Sequence, residues 1–332
     1  MKILFASLNA DFGQNGNLLP DESNASWEKM NIYPAWKQLA DEGLVELQTH
    51  WVDQQSDPAG LERLVSIAKD CDLVFQVPVT HALGIHLPQS RQIIEAGTPI
   101  ASFHPDLHLR YKHQSGDRFV NSRVVEGYDT HTISPALHMM EELRLDGVDA
   151  FHMPFGIPAF SDRLDGSEKP FDVSFVGQKH GIRDSVVSQI RGAGIRVHTW
   201  GHFWPDHPDH HGRPSYHDMN EIFNQSKINL NLRWCSRNPN HGQIKGRDFE
   251  LMGAGAFMLA TQHAESDDFH NLYKPGVHFD EAHFVDDLIE RIHHHLKLDE
   301  QRQIIANHAY RQREANLWTT RLRTFLNEWS DT

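Results

Sequence analysis

Residues 243–261 read QIKGRDFELMGAGAFMLAT. Lys245 and Arg247 stand immediately before an apolar-periodic run, and Glu250 lies in the first turn of that run. Gly253, Ala254 and Gly255 follow, and then the strand-like AFMLAT. A helix that closes on small residues just before a strand is one half of a repeating strand–helix unit. The amino end of such a helix offers unsatisfied N–H groups and a partial positive charge. With two cations added, it suits an anion such as a diphosphate. A carboxylate one turn in can accept two hydrogen bonds from a diol such as ribose. The same spacing also fits a surface helix with a first-turn acid and incidental basic neighbours.

Reading outward, the whole chain alternates in this way. The stretches 2–8, 44–52, 71–79, 98–104, 132–135 and 149–155 read as strands. Helical patterns at 27–43 (interrupted by Pro34), 57–70 and 90–97 separate the earlier ones. Residues 156–170 are polar, carry proline and glycine, and lack periodicity, so they read as a linker. The alternation then restarts: strands at 171–177, 195–201, 227–234 and 256–261, with helices at 183–194, 215–226 and 248–255. From 284 onward the pattern is helical to the end. Alternation of this kind implies parallel sheets covered on both faces. A length of 332 residues accommodates two such domains. The expected division is 1–158 and 170–332, joined by 159–169, with two Rossmann-like, doubly wound domains facing a cleft. Ligands of open α/β sheets bind beyond the carboxyl ends of the strands.

Composition narrows the function classes. Apolar residues make up 39% of the chain and charged residues 23%, as in an ordinary globular protein. No run of about 20 apolar residues predicts a membrane span. The N-terminal MKILFASLNADFG is too short and too strand-like for a signal peptide, so a cytoplasmic location is expected. Cys71 and Cys235 lie in separate apolar runs and read as buried thiols of a reducing compartment. A net charge of −14 argues against a nucleic-acid surface, which needs a basic stripe. It leaves room for a local basic pocket. Residues 233–247 concentrate three arginines and a lysine, which reads as such a pocket or as a solvated loop.

The pattern Arg-x-Phe-Glu followed by Gly-Ala-Phe-x-Leu, from Arg247 to Leu259, resembles the core motif of group 1 glycosyltransferases of the spore-maturation (CgeB-like) type. Other stretches extend the resemblance: FDVSFVG (171–177) before an arginine helix, SKINLNL (226–232), and the Pro-Gly turn, short strand and two helices after Leu272. ASFHPDLH (101–108) and YDTHTISP (128–135) sit where that family has its acidic and Tyr-Asp loops. The resemblance implies a GT-B fold with a helical C-terminal tail, no resident cofactor and no required metal. A nucleoside-diphosphate sugar would be co-substrate, its sugar passing to a glycan, protein or small-molecule acceptor. It implies that Glu250 holds the donor ribose, that Lys245 and Arg247 neutralise the diphosphate, and that Gly177 opens the loop beneath the nucleotide. Arg183, Gly201, Asn231 and Arg233 are the further donor-side candidates. Many related transferases carry a second glutamate eight positions before the ribose-binding one; here that position is Gly242.

Transfer also requires a group to take the acceptor's proton. His104 and Asp106, after a predicted first-domain strand, and His81, after another, are the candidates, each also readable as a loop residue with a local hydrogen bond. Gly13 and Gly16 follow the first strand but do not make the dinucleotide-binding glycine fingerprint. That counts against an oxidoreductase or epimerase. A non-catalytic nucleotide-sugar or carbohydrate binder on the same scaffold is the main alternative. The His- and Asp-rich loop 202–217 lacks helical ligand spacing, so it is expected to rim the site rather than hold zinc. His293, His294 and His295 read as a solvated helix face.

Overall fold

In the computed structural model, residues 1–8, 26–52, 58–78, 87–105, 128–137, 139–234, 244–262 and 266–330 are described. The chain divides into two compact units, one of Met1–Phe155 with Trp318–Thr332, the other of Gly156–Leu317. Each is built on one parallel sheet, the architecture that the strand–helix alternation predicts.

The first sheet holds β1 (Lys2–Leu8), β2 (Glu46–Val52), β3 (Leu73–Gln76), β4 (Ile100–Phe103), β5 (His131–Ser134) and β6 (Ala150–His152), in the order β2-β1-β3-β4-β5-β6. All pairs are parallel. Strands β3 and β4 are buried at every position, as strands covered on both faces must be. The helices are α1 (Trp27–Asn31), α2 (Tyr33–Asp41), α3 (Pro58–Ala68), α4 (Leu87–Glu95) and α5 (Met139–Leu145). Pro34 does not kink one long helix. It lies in the first turn of α2, where a missing N–H costs nothing, and Ile32 separates α2 from α1.

The second sheet holds β7 (Phe171–Val176), β8 (Val197–Trp200), β9 (Ser226–Asn231), β10 (Met258–Thr261) and β11 (Asp280–Ala282), in the order β11-β10-β9-β7-β8, again all parallel. Its helices are α6 (Arg183–Gly192), α7 (Tyr216–Asn224), α8 (Gly246–Gly253), α9 (Ser266–His270), α10 (Val285–His295) and α11 (Asp299–Tyr310). Both sheets share one winding, and each reverses direction once: between β1 and β3, and between β7 and β9.

The sequence reading carries the second domain to residue 332, whereas the last helix, α12 (Trp318–Ser330), belongs with the first unit. Its apolar face explains this. Trp318 packs edge-on to Trp27 and Phe103, Phe325 to Phe75 and Phe151, and Trp329 against His131. The continuous helical pattern from 284 is broken by extended Leu317, which pairs with Ile157. Residues 159–169 form no repeating structure, yet they are bound to the second unit. Asn220 and Asn224 accept the N–H groups of Asp162 and Leu164, and Arg313 donates to the Ser161 carbonyl. His295 is not solvated: it is buried, with Nε2 2.6 Å from an Asp280 carboxylate oxygen, while His293 and His294 are exposed.

The small residues after α8 have two distinct tasks. Gly255, at φ +59°, ends the helix in a Schellman turn: its N–H reaches the Met252 carbonyl and that of Ala256 reaches Leu251. Gly253 instead lets residues 157–161 lie directly on the helix, since a Cβ there would sit 2.3 Å from Ile157 Cγ2 and 3.1 Å from the Ser161 carbonyl oxygen. Gly253→Ala is therefore expected to lower unfolding free energy by about 1–3 kcal/mol, the usual cost of overpacking, measured by urea denaturation.

Candidate functional site

The donor-side candidates share the carboxyl edge of the second sheet. Gly177 ends β7 and Gly201 ends β8, and the two backbones meet. The Gly177 N–H donates to Trp200 at 2.8 Å. A Cβ on Gly201, whose φ is +137°, would lie 2.2 Å from the Gly177 oxygen. Trp204 Nε1 donates to that oxygen at 2.8 Å, which fixes the loop after β8 over the strand end. Arg183 opens α6 and spans the reversal point of the sheet. Its Nε donates to Leu232 beyond β9 at 3.1 Å, and its Nη1 to Gln178 beyond β7 at 3.2 Å. Asn231 closes β9, buried, with Nδ2 3.4 Å from Met258 Sδ.

The start of α8 is set by one buried carboxylate. Asp248 Oδ2 accepts the Lys245 N–H at 2.8 Å and so caps the helix, while Oδ1 accepts Arg233 Nε at 2.6 Å. Arg233 Nη1 reaches Glu281 on β11 at 2.7 Å, and the guanidinium lies over the rings of Phe269 and Phe279. Arg233 and Asp248 are both 0% exposed. The sequence reading assigns Arg233 to the donor anion; the structure commits it to two carboxylates instead. A buried cation already neutralised in this way cannot face a diphosphate without leaving two acids unpaired. Asp248 and Glu281 were not singled out from sequence. Asp248 carried a readable signal, an acid at the third helical position; Glu281, 48 residues from Arg233, carried none.

Glu250 is 2% exposed, with Oε2 2.7 Å from Arg247 Nη1. Arg247 also lies over the Phe223 ring and touches Met219, both on α7. The predicted cation and acid are thus brought together, one neutralising the other. Lys245 is half-buried at the cap position. Gly242 lies outside the described residues.

In the first unit, His104 follows β4, and its N–H donates to Ile133 at 2.8 Å. The ring is buried, with Nε2 3.1 Å from Asp129 Oδ2, and Thr132 Oγ1 donates to the other carboxylate oxygen. Asp129 lies in the Tyr-Asp stretch that the family resemblance marked, but its pairing with His104, 25 residues away, carried no local signal. Asp106 and His81, like Gly13 and Gly16, lie outside the described residues, as does Cys235. Cys71 is a free thiol, pushed up from its ordinary pKa chiefly by burial.

The His-rich loop scatters its ligand types. His207 accepts the Asp209 N–H, His210 Nδ1 lies against Thr199, and His211 Nε2 sits 2.9 Å from His198 Nδ1. Asp209 is held by Arg196, and its pKa is lowered chiefly by that hydrogen bond. Among the described residues no three potential metal ligands come together. Instead His211 stacks on both His198 and Trp200, at 5.2 and 4.6 Å between ring centroids, in a cluster of three rings.

Two outcomes are expected. Arg233→Met should cost about 3–5 kcal/mol in chemical denaturation, since it strands two buried carboxylates. Burial lowers the pKa of both His198 and His211. The unfolded chain therefore takes up protons near the ordinary imidazole value of about 6.5, while the folded pair resists. Their contribution is present above that value and lost as pH falls below it. Thermal melting from pH 7.5 to 5 should show stability dropping with acidification, and His211→Gln should flatten that dependence.

The profile of a glycosyl transferase-like family matches residues 183–327, which run from the arginine opening α6 into α12. No curated protein matches the chain in sequence. Among solved structures, Anabaena Alr3699/HepE in complex with UDP-glucose aligns over 100% of both chains at 13% identity and a TM-score of 0.65. AviGT4, a glycosyltransferase involved in avilamycin A biosynthesis, aligns over 99% of this chain and 97% of its own, at 13% identity and a TM-score of 0.58. A putative UDP-N-acetylglucosamine 2-epimerase from Listeria monocytogenes aligns over 100% and 97%, at 10% identity and a TM-score of 0.57. Identities this low speak to architecture, and transferases and an epimerase share it. With two parallel-sheet Rossmann-like units of six and five strands, the chain has the GT-B fold.

Proposed function

We propose that the protein is a glycosyltransferase that moves a sugar from a nucleoside-diphosphate sugar to an acceptor. One observation carries the reading: a buried glutamate beside an arginine at the start of a capped helix, on the carboxyl edge of the second sheet. The family likeness over 183–327 and the UDP-glucose bound by Anabaena HepE support it. In this reading Glu250 accepts the two ribose hydroxyls. The Arg247 guanidinium, now on Glu250, turns to the diphosphate when the diol takes its place on the carboxylate. Lys245, the first N–H groups of α8 and Arg183 face the same charge. Charge that grows on the leaving diphosphate is then met by fixed donors, with no metal required of the protein. The Gly177–Gly201 contact keeps side chains out of the space above β7 and β8, where the nucleotide lies.

His104 is the proposed base. In the tautomer whose Nε2–H donates to the Asp129 carboxylate, Nδ1 carries the lone pair that takes the acceptor's proton. Asp129 thus fixes the tautomer and steadies the imidazolium that forms, as the carboxylate does in a hydrolytic triad. The acceptor is a hydroxyl-bearing glycan, protein or small molecule.

The test is binding first and turnover second. A nucleoside diphosphate matched to the site should raise the melting temperature at about 1 mM. Glu250→Gln should weaken its binding about 10- to 100-fold in calorimetry, the scale of hydrogen bonds to a charged group. His104→Ala should leave that affinity intact and abolish sugar transfer. A panel of nucleoside diphosphates without any stabilising member would overturn the reading. Binding without consumption of the sugar nucleotide would make the protein a binder, and a rearranged but untransferred sugar would make it an epimerase.

A further inference from the structure

A second cavity lies in the same unit, on the opposite edge of its sheet. It measures about 480 Å³. Its walls come from Lys169 before β7, Asn224 at the end of α7, Lys227 at the start of β9, Gly255 and Phe257 before β10, and the first turns of α11. In a parallel sheet these positions all mark the amino edge, whereas Gly177, Gly201 and Asn231 mark the carboxyl edge.

The cavity is built around cations. Lys169 Nζ donates to the carbonyls of Asn224 at 2.7 Å and Ser226 at 3.3 Å, and no carboxylate pairs with it among the described residues. Its pKa is lowered by burial first, and then by repulsion from Arg302 and Arg163. Arg163 is likewise unpaired by any carboxylate among the described residues. It is held flat on the Tyr310 ring, 4.4 Å from the centroid. Gly255 makes room for it: a Cβ there would lie 2.8 Å from Arg163 Nε and Nη2. The other charges largely cancel, Lys227 on Asp172 and Arg302 on Asp299, while Asp162, whose carboxyl pKa Arg163 helps to lower, and exposed Asp165 stand near the remaining two cations. The side-chain amides of Gln303 and Asn307 also line the cavity, and neither has a hydrogen-bond partner among the described residues.

Two cations that repel each other and line one cavity call for a compact anion, and free amides call for hydroxyls. The volume falls in the range of small-molecule sites. We propose that this cavity binds a small phosphomonoester of sugar-phosphate size, with Lys169 and Arg163 on the phosphate and Gln303 and Asn307 on the sugar hydroxyls. The site is separate from the nucleotide site and does not depend on it.

The probes are inorganic phosphate and glucose 6-phosphate, followed by melting temperature and titration calorimetry on the full chain. Wild type should be stabilised and should bind glucose 6-phosphate more tightly than phosphate. Lys169→Met and Arg163→Gln should each weaken binding about tenfold or more, as loss of a charge-assisted bond does. Lys169→Arg should restore most of it. Glu250→Gln should bind both probes as wild type does. If Lys169→Met does not fold, Arg163→Gln and Lys169→Arg carry the comparison. Absence of binding at about 10 mM overturns the proposal. So does stabilisation retained in the Lys169 and Arg163 variants, which is the general salting effect of phosphate. Loss of binding in Glu250→Gln would place the anion in the nucleotide site and overturn it as well.

Discussion

The second unit is organised around a buried ion pair. Asp248 and Arg233 exclude water completely, and between them they touch the first N–H side of α8, the end of β9, and Glu281 on β11. Charges so buried are tolerated only when they are paired, and Asp248 uses one oxygen on Arg233 and the other on the Lys245 N–H. That demand fixes the helix in register with the sheet. The side chains on its first turn, Arg247 and Glu250, inherit their positions from it. A helix held by apolar packing alone could slide or rotate slightly at little cost. One capped from within by a carboxylate that also holds an arginine just beyond the adjacent strand cannot.

How much of this was legible depended on sequence distance. Strands and helices of the second unit follow from local periodicity, and so does the start of α8 from an acid at its third position. The pairing of Arg247 with Glu250 is also local, three residues along one helix face. Arg233 illustrates the limit. In sequence it is the first of a cluster of basic residues. In space it is taken out of that cluster, because its partners come from 15 and 48 residues away. His104 likewise gains Asp129 only through the pairing of β4 with β5. Gly253 shows the same limit: the close packing that a glycine permits is there, but against residues 157–161, a contact that no periodicity announces, while Gly255 ends the helix.

The two edges of the second sheet carry different chemistry for a common reason. Parallel strands put every strand-to-helix loop on one edge and every helix-to-strand loop on the other. On the first edge, loop residues are glycines in close contact and the amino ends of helices. On the other, helix carbonyls would dominate, and Lys169 donates to two main-chain carbonyls there. A cation at that edge is thus part of how the backbone is satisfied, although burial and the neighbouring Arg302 and Arg163 lower its pKa.

The return of α12 to the first unit has a consequence for how the molecule is made. A ribosome delivers residues 1–155 long before 318–330, and Trp318, Phe325 and Trp329 supply partners for Trp27, Phe75, Phe103, Phe151 and His131. Until the last helix emerges, that aromatic face is uncovered. The second unit, continuous from Gly156 to Leu317, has no such debt and can close on itself during synthesis. Vectorial synthesis therefore inverts the order of completion: the half of the protein that is translated first is the half finished last.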